Sequence, residues 1–310
     1  YFHGDKQLTT GVHYRWAWHG FHFFGETALT RWPGAGTVNG VSFSPSSRIS
    51  MVIVQRYYHQ QFNPLFAASF SSQSRITNEK GIYIGMEVYP VAHWKISAYA
   101  DSYRFAWLKY GTDAPSTGND FLLQLQYTPS RKLQLRMLYR YKQQYSSLRS
   151  ATNPVISIGS EEKWSGRFQL DQSTGALQFR NAFEINCFNN NDIPSFGFGA
   201  WQDITAQLPR LPLKVSVRYL FFNAPDSDNR IYTYEKDVLH AFSSPFFSGK
   251  GSRYYMLLNY TLSDQMALWL KASRVHYADG RTLLGSGNEE ITGDRRTEFH
   301  FLLRFRFRKL

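Results

Sequence analysis

Cysteine is nearly missing from this chain. One, Cys187, stands among 310 residues, which excludes an internal disulfide and any cysteine-based metal centre. Long apolar runs are missing too. None approaches the roughly 18 residues that a helix needs to cross a bilayer, and mean hydropathy is −0.41. No stretch holds the 3.6-residue apolar period of an amphipathic helix. CxxC, HExxH and a phosphate-cradling glycine loop are also lacking, so no metal and no cofactor is expected. The opening residues, YFHGDKQLTTG, contain neither a basic stretch nor an apolar core, and no signal peptide is visible. An exported protein needs one. The sequence is therefore expected to be a mature form or the C-terminal part of a longer chain.

Aromatic residues are plentiful instead, at 17% with 20 Tyr, 25 Phe and 8 Trp. That is more than a soluble core uses, and it suits the interface girdles of a membrane barrel. Formal charge is +12. A basic chain can attract nucleic acid or anionic lipid; the plainer expectation is that the excess Arg and Lys line an enclosed polar interior.

The last stretch, TEFHFLLRFRFRK at 297–309, shows the governing pattern. Phe299, Phe301, Leu303, Phe305 and Phe307 share one parity, while Glu298, His300, Arg304, Arg306 and Arg308 share the other, interrupted only by Leu302. A period of two is a strand. The same split recurs at 133–142, where Leu133, Leu135, Met137, Tyr139 and Tyr141 oppose Gln134, Arg136, Arg140 and Lys142. It recurs at 213–221, where Leu213, Val215, Val217, Tyr219 and Phe221 oppose Lys214, Ser216 and Arg218. In an outer-membrane barrel the apolar parity meets lipid and the charged parity faces the lumen.

About fifteen such runs can be read. They are roughly 9 to 12 residues long, against a usual mode of about 5 to 6, and a tilted strand needs that length to cross the hydrocarbon. Their connections alternate between tight turns and longer loops, the signature of short periplasmic turns and long extracellular ones. The expectation is an all-β, antiparallel up-and-down transmembrane β-barrel in the bacterial outer membrane, occupying 1–310 as one domain. Tight turns on the periplasmic side make an odd count leave the N-terminus outside. Bacterial barrels usually have even counts, so about 16 strands are expected, one of them before Tyr1, with 14 as the alternative.

Parity assigns the charges that face the lumen: Arg15, Glu26, Arg56, Glu87, Asp101, Arg136, Arg140, Arg167, Arg180, Glu184, Asp203, Lys214, Arg218, Lys271, Glu298, Arg304 and Arg306. Both signs are present. They could form a network that stiffens the barrel, since Arg pairs bidentately with carboxylates, or an anion-attracting pore. Catalysis is not expected. His240, Ser243 and Ser244 share a loop with Asp226 and Asp228, but their spacing matches no nucleophile signature.

Two loops, 59–79 and 223–251, are rich in aromatics and leucine. They can fold inward as a plug, cap the barrel, or offer other outer-membrane proteins a docking surface. In these loops FNPLFAASF…SRITNEKGIYIGMEV and RIYTYEKDVLHAFSSPFFSGKGSRYY, together with AWLKYGTDAPSTGNDFLLQLQYTPSRKLQLRMLYRYK, resemble the C-terminal region of Bacteroidota helix-hairpin-helix (competence-protein-like) domain-containing proteins. The resemblance spans most of 40–262. It implies an upstream helix-hairpin-helix segment, which these residues do not contain, and with it DNA capture or uptake. The expected function is a channel, or a component of a larger outer-membrane complex, with DNA capture as the alternative that the resemblance adds.

Overall fold

A computed structural model describes residues 5–30, 33–148, 157–190, 193–285 and 287–307. Residues 1–4, 31–32, 149–156, 191–192, 286 and 308–310 lie outside the described residues.

Fifteen strands follow one another in chain order through a single antiparallel sheet. They are β1 (Thr10–Trp18), β2 (Phe21–Leu29), β3 (Ala35–Ser46), β4 (Ile49–Tyr58), β5 (Glu79–Val88), β6 (Trp94–Phe105), β7 (Ser116–Ser130), β8 (Leu133–Leu148), β9 (Ser157–Thr174), β10 (Leu177–Asn190), β11 (Ile193–Gln207), β12 (Leu213–Ala224), β15 (Gly249–Thr261), β16 (Met266–Tyr277) and β19 (Arg295–Phe305). Two-residue ribbons form inside the loops: β13 (Ile231–Tyr232) with β14 (Phe246–Phe247), and β17 (Leu283–Leu284) with β18 (Ile291–Thr292). The sheet therefore holds the fifteen runs read from the sequence. The expected sixteenth strand is not among the described residues.

The turn between β1 and β2 shows why the short connections can be so short. His19 and Gly20 both have positive φ, 45° and 84°, the left-handed pair that a two-residue hairpin requires. On the loop side the strands outrun the apolar pattern. β7, β8 and β9 are 15, 16 and 18 residues long. Their extra turns of chain, such as Ser116–Asp120, are polar. Backbone pairing needs no apolar side chain, so the ladder continues past the point where the period fades.

The two faces are as different as the sequence requires. Along β19, Phe299 and Phe301 are 73% and 68% exposed, and Leu303 and Phe305 are exposed too, while Glu298, His300, Leu302 and Arg304 are half-buried. Leu302, the one apolar residue on the charged parity, packs toward Tyr255, Leu257 and Trp269. Along β12, Tyr219 and Phe221 are exposed whereas Ser216, Arg218, Leu220 and Phe222 are buried. A soluble protein rarely exposes so continuous an apolar face, and a polar face opposite an apolar one on long, sequentially paired strands is what a membrane barrel needs. The chain has the all-β, up-and-down fold of a bacterial outer-membrane β-barrel.

Two compact units divide the chain. The first comprises Tyr1–Leu125, Leu138–Trp164 and Asn189–Ile193. Its small core stacks Tyr58 on Phe62 beside Ile76, Ala28 and Val38. The second comprises Gln126–Met137, Ser165–Phe188 and Pro194–Leu310. There Leu220, Phe222, Trp201 and Val275 of the strands close over Ile231 and Phe247 of a loop.

Candidate functional site

In the first unit the inner face centres on Arg56 of β4, fully buried. Its Nη1 and Nη2 donate to the two carboxylate oxygens of Asp101 on β6, at 2.7 and 3.0 Å, and its Nε donates to Glu79 at the start of β5. One guanidinium thus satisfies two carboxylates, and such pairing is what lets buried charges persist. Loop 59–78 leans on this triad with neutral groups. Ser71 Oγ donates to Glu79 at 2.6 Å, the Ser72 N–H donates to the same carboxylate at 3.0 Å, and the Phe70 ring lies 4.9 Å from the guanidinium carbon. Tyr58 donates to the Phe70 carbonyl at 2.7 Å. Elsewhere in the unit Arg140 donates to both oxygens of Asp120, at 3.0 and 2.5 Å, and Glu87 meets Lys95 at 2.6 Å near the turn.

The second unit is built differently. Loop 225–248 itself carries the carboxylates. Arg253 of β15 donates through Nε and Nη2 to the two oxygens of Glu235, at 2.8 and 2.9 Å. Lys271 of β16 reaches Asp237 at 2.9 Å and Glu235 at 3.4 Å. Asp237 also lies 2.7 Å from His300 Nδ1 and accepts the Val238 N–H at 2.8 Å. Burial pushes the Asp237 carboxyl up, but the bonds from His300, Lys271 and Val238 outweigh it and hold the group below the usual range. Between these two residues Lys236 donates to Thr205 Oγ1 at 2.6 Å, and burial, with Lys214 nearby, holds its ammonium below the usual range. Arg253 also donates to Ser273 and Glu298, at 3.2 and 3.1 Å. Arg218 and Asp203 form a buried pair between β12 and β11.

The loop's entry is packed as closely as its centre. A Cβ on Gly197 would sit 2.7 Å from the Asn229 carbonyl oxygen, and one on Gly199 would sit 3.0 Å from Ile231. Glycine on β11 therefore lets loop backbone lie against strand backbone. Arg167 pairs with Glu184 at 2.6 Å and donates to the Tyr232 carbonyl at 3.0 Å, and Asn186 donates to the Asn229 and Arg230 carbonyls, both at 3.3 Å.

Of the residues assigned by parity, most fall on this inner face and meet a partner. Arg136 and Arg180 share Asp171, at 2.9 and 2.5 Å. Glu298 takes Arg296 at 2.8 Å besides Arg253. Arg304 lies over the Trp269 ring at 5.1 Å. Arg15 and Glu26 are exposed on the wall of a cavity. β19 ends at Phe305, and Arg306 just beyond it is exposed, its N–H donating to the Gln265 carbonyl at 2.8 Å. The inner face is also not a ring of free arginines, because carboxylates neutralise most of them. Sequence reading missed Glu79, Arg253, Glu235, Lys236 and Asp237 as members of this face. Arg253 and Glu79 sit where strands meet loops, and the other three lie in a loop without a period. The one signal was a run of alternating charge, EKD, inside an aromatic-rich loop. Among the described residues no group of three or more His, Cys, Asp or Glu could hold a metal ion.

No family model matches the chain, and no curated protein matches it. Solved structures do. The RagAB peptide importer in its closed-closed state is 8% identical, with a TM-score of 0.48 over 98% of this chain and 48% of that one. CdiB from Acinetobacter baumannii is 11% identical, with a TM-score of 0.44 over 97% of this chain and 53% of its own. OccK10 (OpdN) of Pseudomonas aeruginosa is 12% identical, with a TM-score of 0.45 over 96% of this chain and 88% of its own. The chain spans about half the length of the first two. At these identities and scores the likenesses say nothing about a substrate.

Proposed function

We propose that this chain is an outer-membrane channel whose polar inner face is covered by its own loops. The exposed aromatic face meets lipid; the charged face borders the pathway. One observation carries the reading: loop 225–248 is fastened to the strands through its own buried carboxylates, Glu235 and Asp237, against Arg253 and Lys271. Buried ion pairs add little net stability and are costly to break singly. Their use here suits a loop that is held in one of two positions rather than one that merely fills space. Planar-bilayer conductance tests this. The unaltered chain should pass small or brief currents, and Glu235→Gln combined with Asp237→Asn should give larger, steadier ones. Equal large currents from both would remove the covering role, and no current from either would remove the channel.

A second reading has its own observation. The tips of the two loops present bare aromatic rings, Phe66 at 98% and Phe242 at 81% exposure, which is the chemistry of docking to another outer-membrane protein. Absent current combined with co-purification of a partner that is lost on Phe66→Ser and Phe242→Ser would select it. DNA capture, which the resemblance to helix-hairpin-helix proteins implies, draws within these residues on the charge of +12 alone. Salt-dependent retention of duplex DNA by the purified chain tests it.

A further inference from the structure

The first unit holds an open cavity of about 580 Å3, which shares Tyr58 and Phe70 with the surroundings of Arg56. Its size falls in the range of about 300–1,000 Å3 typical of small-molecule sites. β1, β2, β3 and β4 form its floor and loop 59–78 its far wall. The apolar lining includes Phe24, Val38, Tyr58, Phe62 and Phe70. Glycines set two of these rings in place. A Cβ on Gly36 would sit 2.5 Å from the Phe62 ring, and one on Gly40 would sit 2.3 Å from Phe24, so both rings lie flat against strand backbone.

Two charges stand on the floor, Arg15 on β1 and Glu26 on β2. Register pairs Arg15 with Phe24 and His13 with Glu26, which makes Arg15 and Glu26 diagonal neighbours on one face, about 7–8 Å apart across the strand pair. The other strand arginines described above meet a carboxylate or, for Arg304, an aromatic ring. Among the described residues Arg15 and Glu26 meet no hydrogen-bonding or ionic partner through their side chains. A cation and an anion left open beside an aromatic wall are complementary to a ligand that carries both charges and an apolar body.

We infer that this cavity is a binding site for a small amphipathic zwitterion, its carboxylate taken by Arg15, its ammonium by Glu26, and its apolar body by the Phe24–Phe62–Phe70 wall. Guanidinium binds carboxylate through two parallel N–H donors, and the rings supply the apolar contact that holds such a ligand in a pocket. The site goes beyond the channel reading, since binding in detergent solution does not depend on conduction.

Isothermal titration calorimetry on the purified chain, with three probes, tests the assignment. L-Phenylalanine should bind saturably. 3-Phenylpropionate, without the ammonium, and 2-phenylethylamine, without the carboxylate, should each bind about tenfold or more weakly. Arg15→Gln should weaken L-phenylalanine by about tenfold while leaving 2-phenylethylamine unchanged, and Glu26→Gln should do the converse, leaving 3-phenylpropionate unchanged. Both positions are exposed, so the variants should fold, which heat-dependent gel mobility verifies. No saturable binding of L-phenylalanine overturns the site. Equal binding of all three probes, or variants that weaken all three alike, overturns the assigned roles of Arg15 and Glu26.

Discussion

Loop 59–78 and loop 225–248 both lie over buried charge, but they are fastened in opposite ways. In the first unit the cation and both carboxylates belong to strands, and the loop contributes a hydroxyl, an N–H and a ring. Lifting loop 59–78 away would leave Arg56, Glu79 and Asp101 paired with one another. In the second unit the strands supply the cations and the loop supplies the carboxylates. Lifting loop 225–248 would strand Arg253 and Lys271, although Arg253 would keep Glu298. A loop is held by charge only when it carries one partner of the pair. The first loop should therefore answer to packing, and the second to charge and pH.

The largest effect should come from Glu235→Ala. It leaves two buried cations short of a partner, and breaking a buried pair costs about 3–5 kcal/mol. The retained Glu298 contact places the cost near the lower end. Proteolysis within 225–248 should quicken while 59–78 keeps its rate. Quickening of both loops alike would break the contrast.

Close packing gives a second, smaller separation. On Gly197→Ala the new methyl meets loop backbone 2.7 Å away. On Gly36→Ala it meets the ring of Phe62, which can turn. Overpacking costs about 1–3 kcal/mol, and thermal melting should place Gly197→Ala toward the top of that range and Gly36→Ala toward the bottom. The reverse order would mean that loop 225–248 yields more easily than loop 59–78.

How much of this was legible in the sequence differs between sheet and loops. Alternation identified all fifteen strands of the sheet, and parity placed Arg56, Arg218 and Lys271 on the inner face, because a ladder forces side chains to alternate. Strand ends were read too short at β7, β8 and β9, where polar residues erase the period but not the pairing. Glu235 and Asp237 were illegible for a related reason. A loop has no period, and only its fold shows that two of its carboxylates reach strand cations.

Acid separates the loops as well. The folded-state carboxyl of Asp237 lies below its ordinary value, so its contribution is fully present above that ordinary value, near pH 4. It is lost as pH falls through the lowered folded value. Protection of loop 225–248 should therefore decline on acidification below about pH 4, and Asp237→Asn should remove that part of the decline. An identical acid profile in the variant would show that Asp237 does not hold the loop.

The smallest effect should be that of Ser71→Ala, which removes one bond to Glu79 and costs about 1 kcal/mol. Arg56 still satisfies that carboxylate, so chemical denaturation should show a slight shift and loop 225–248 should be unaffected.

The contrast is tested most directly by hydrogen exchange at neutral pH on the unaltered chain and on Glu235→Gln combined with Asp237→Asn. The N–H of Glu235, which donates to the Ser243 carbonyl at 2.9 Å, and that of Thr233, which donates to Pro245 at 3.2 Å, should exchange much faster in the variant. The N–H of Ser72 and that of Phe62, which donates to the His59 carbonyl at 2.9 Å, should keep their rates. Unchanged exchange at Glu235 and Thr233, or equal acceleration at Ser72 and Phe62, would contradict a loop latched by its own carboxylates.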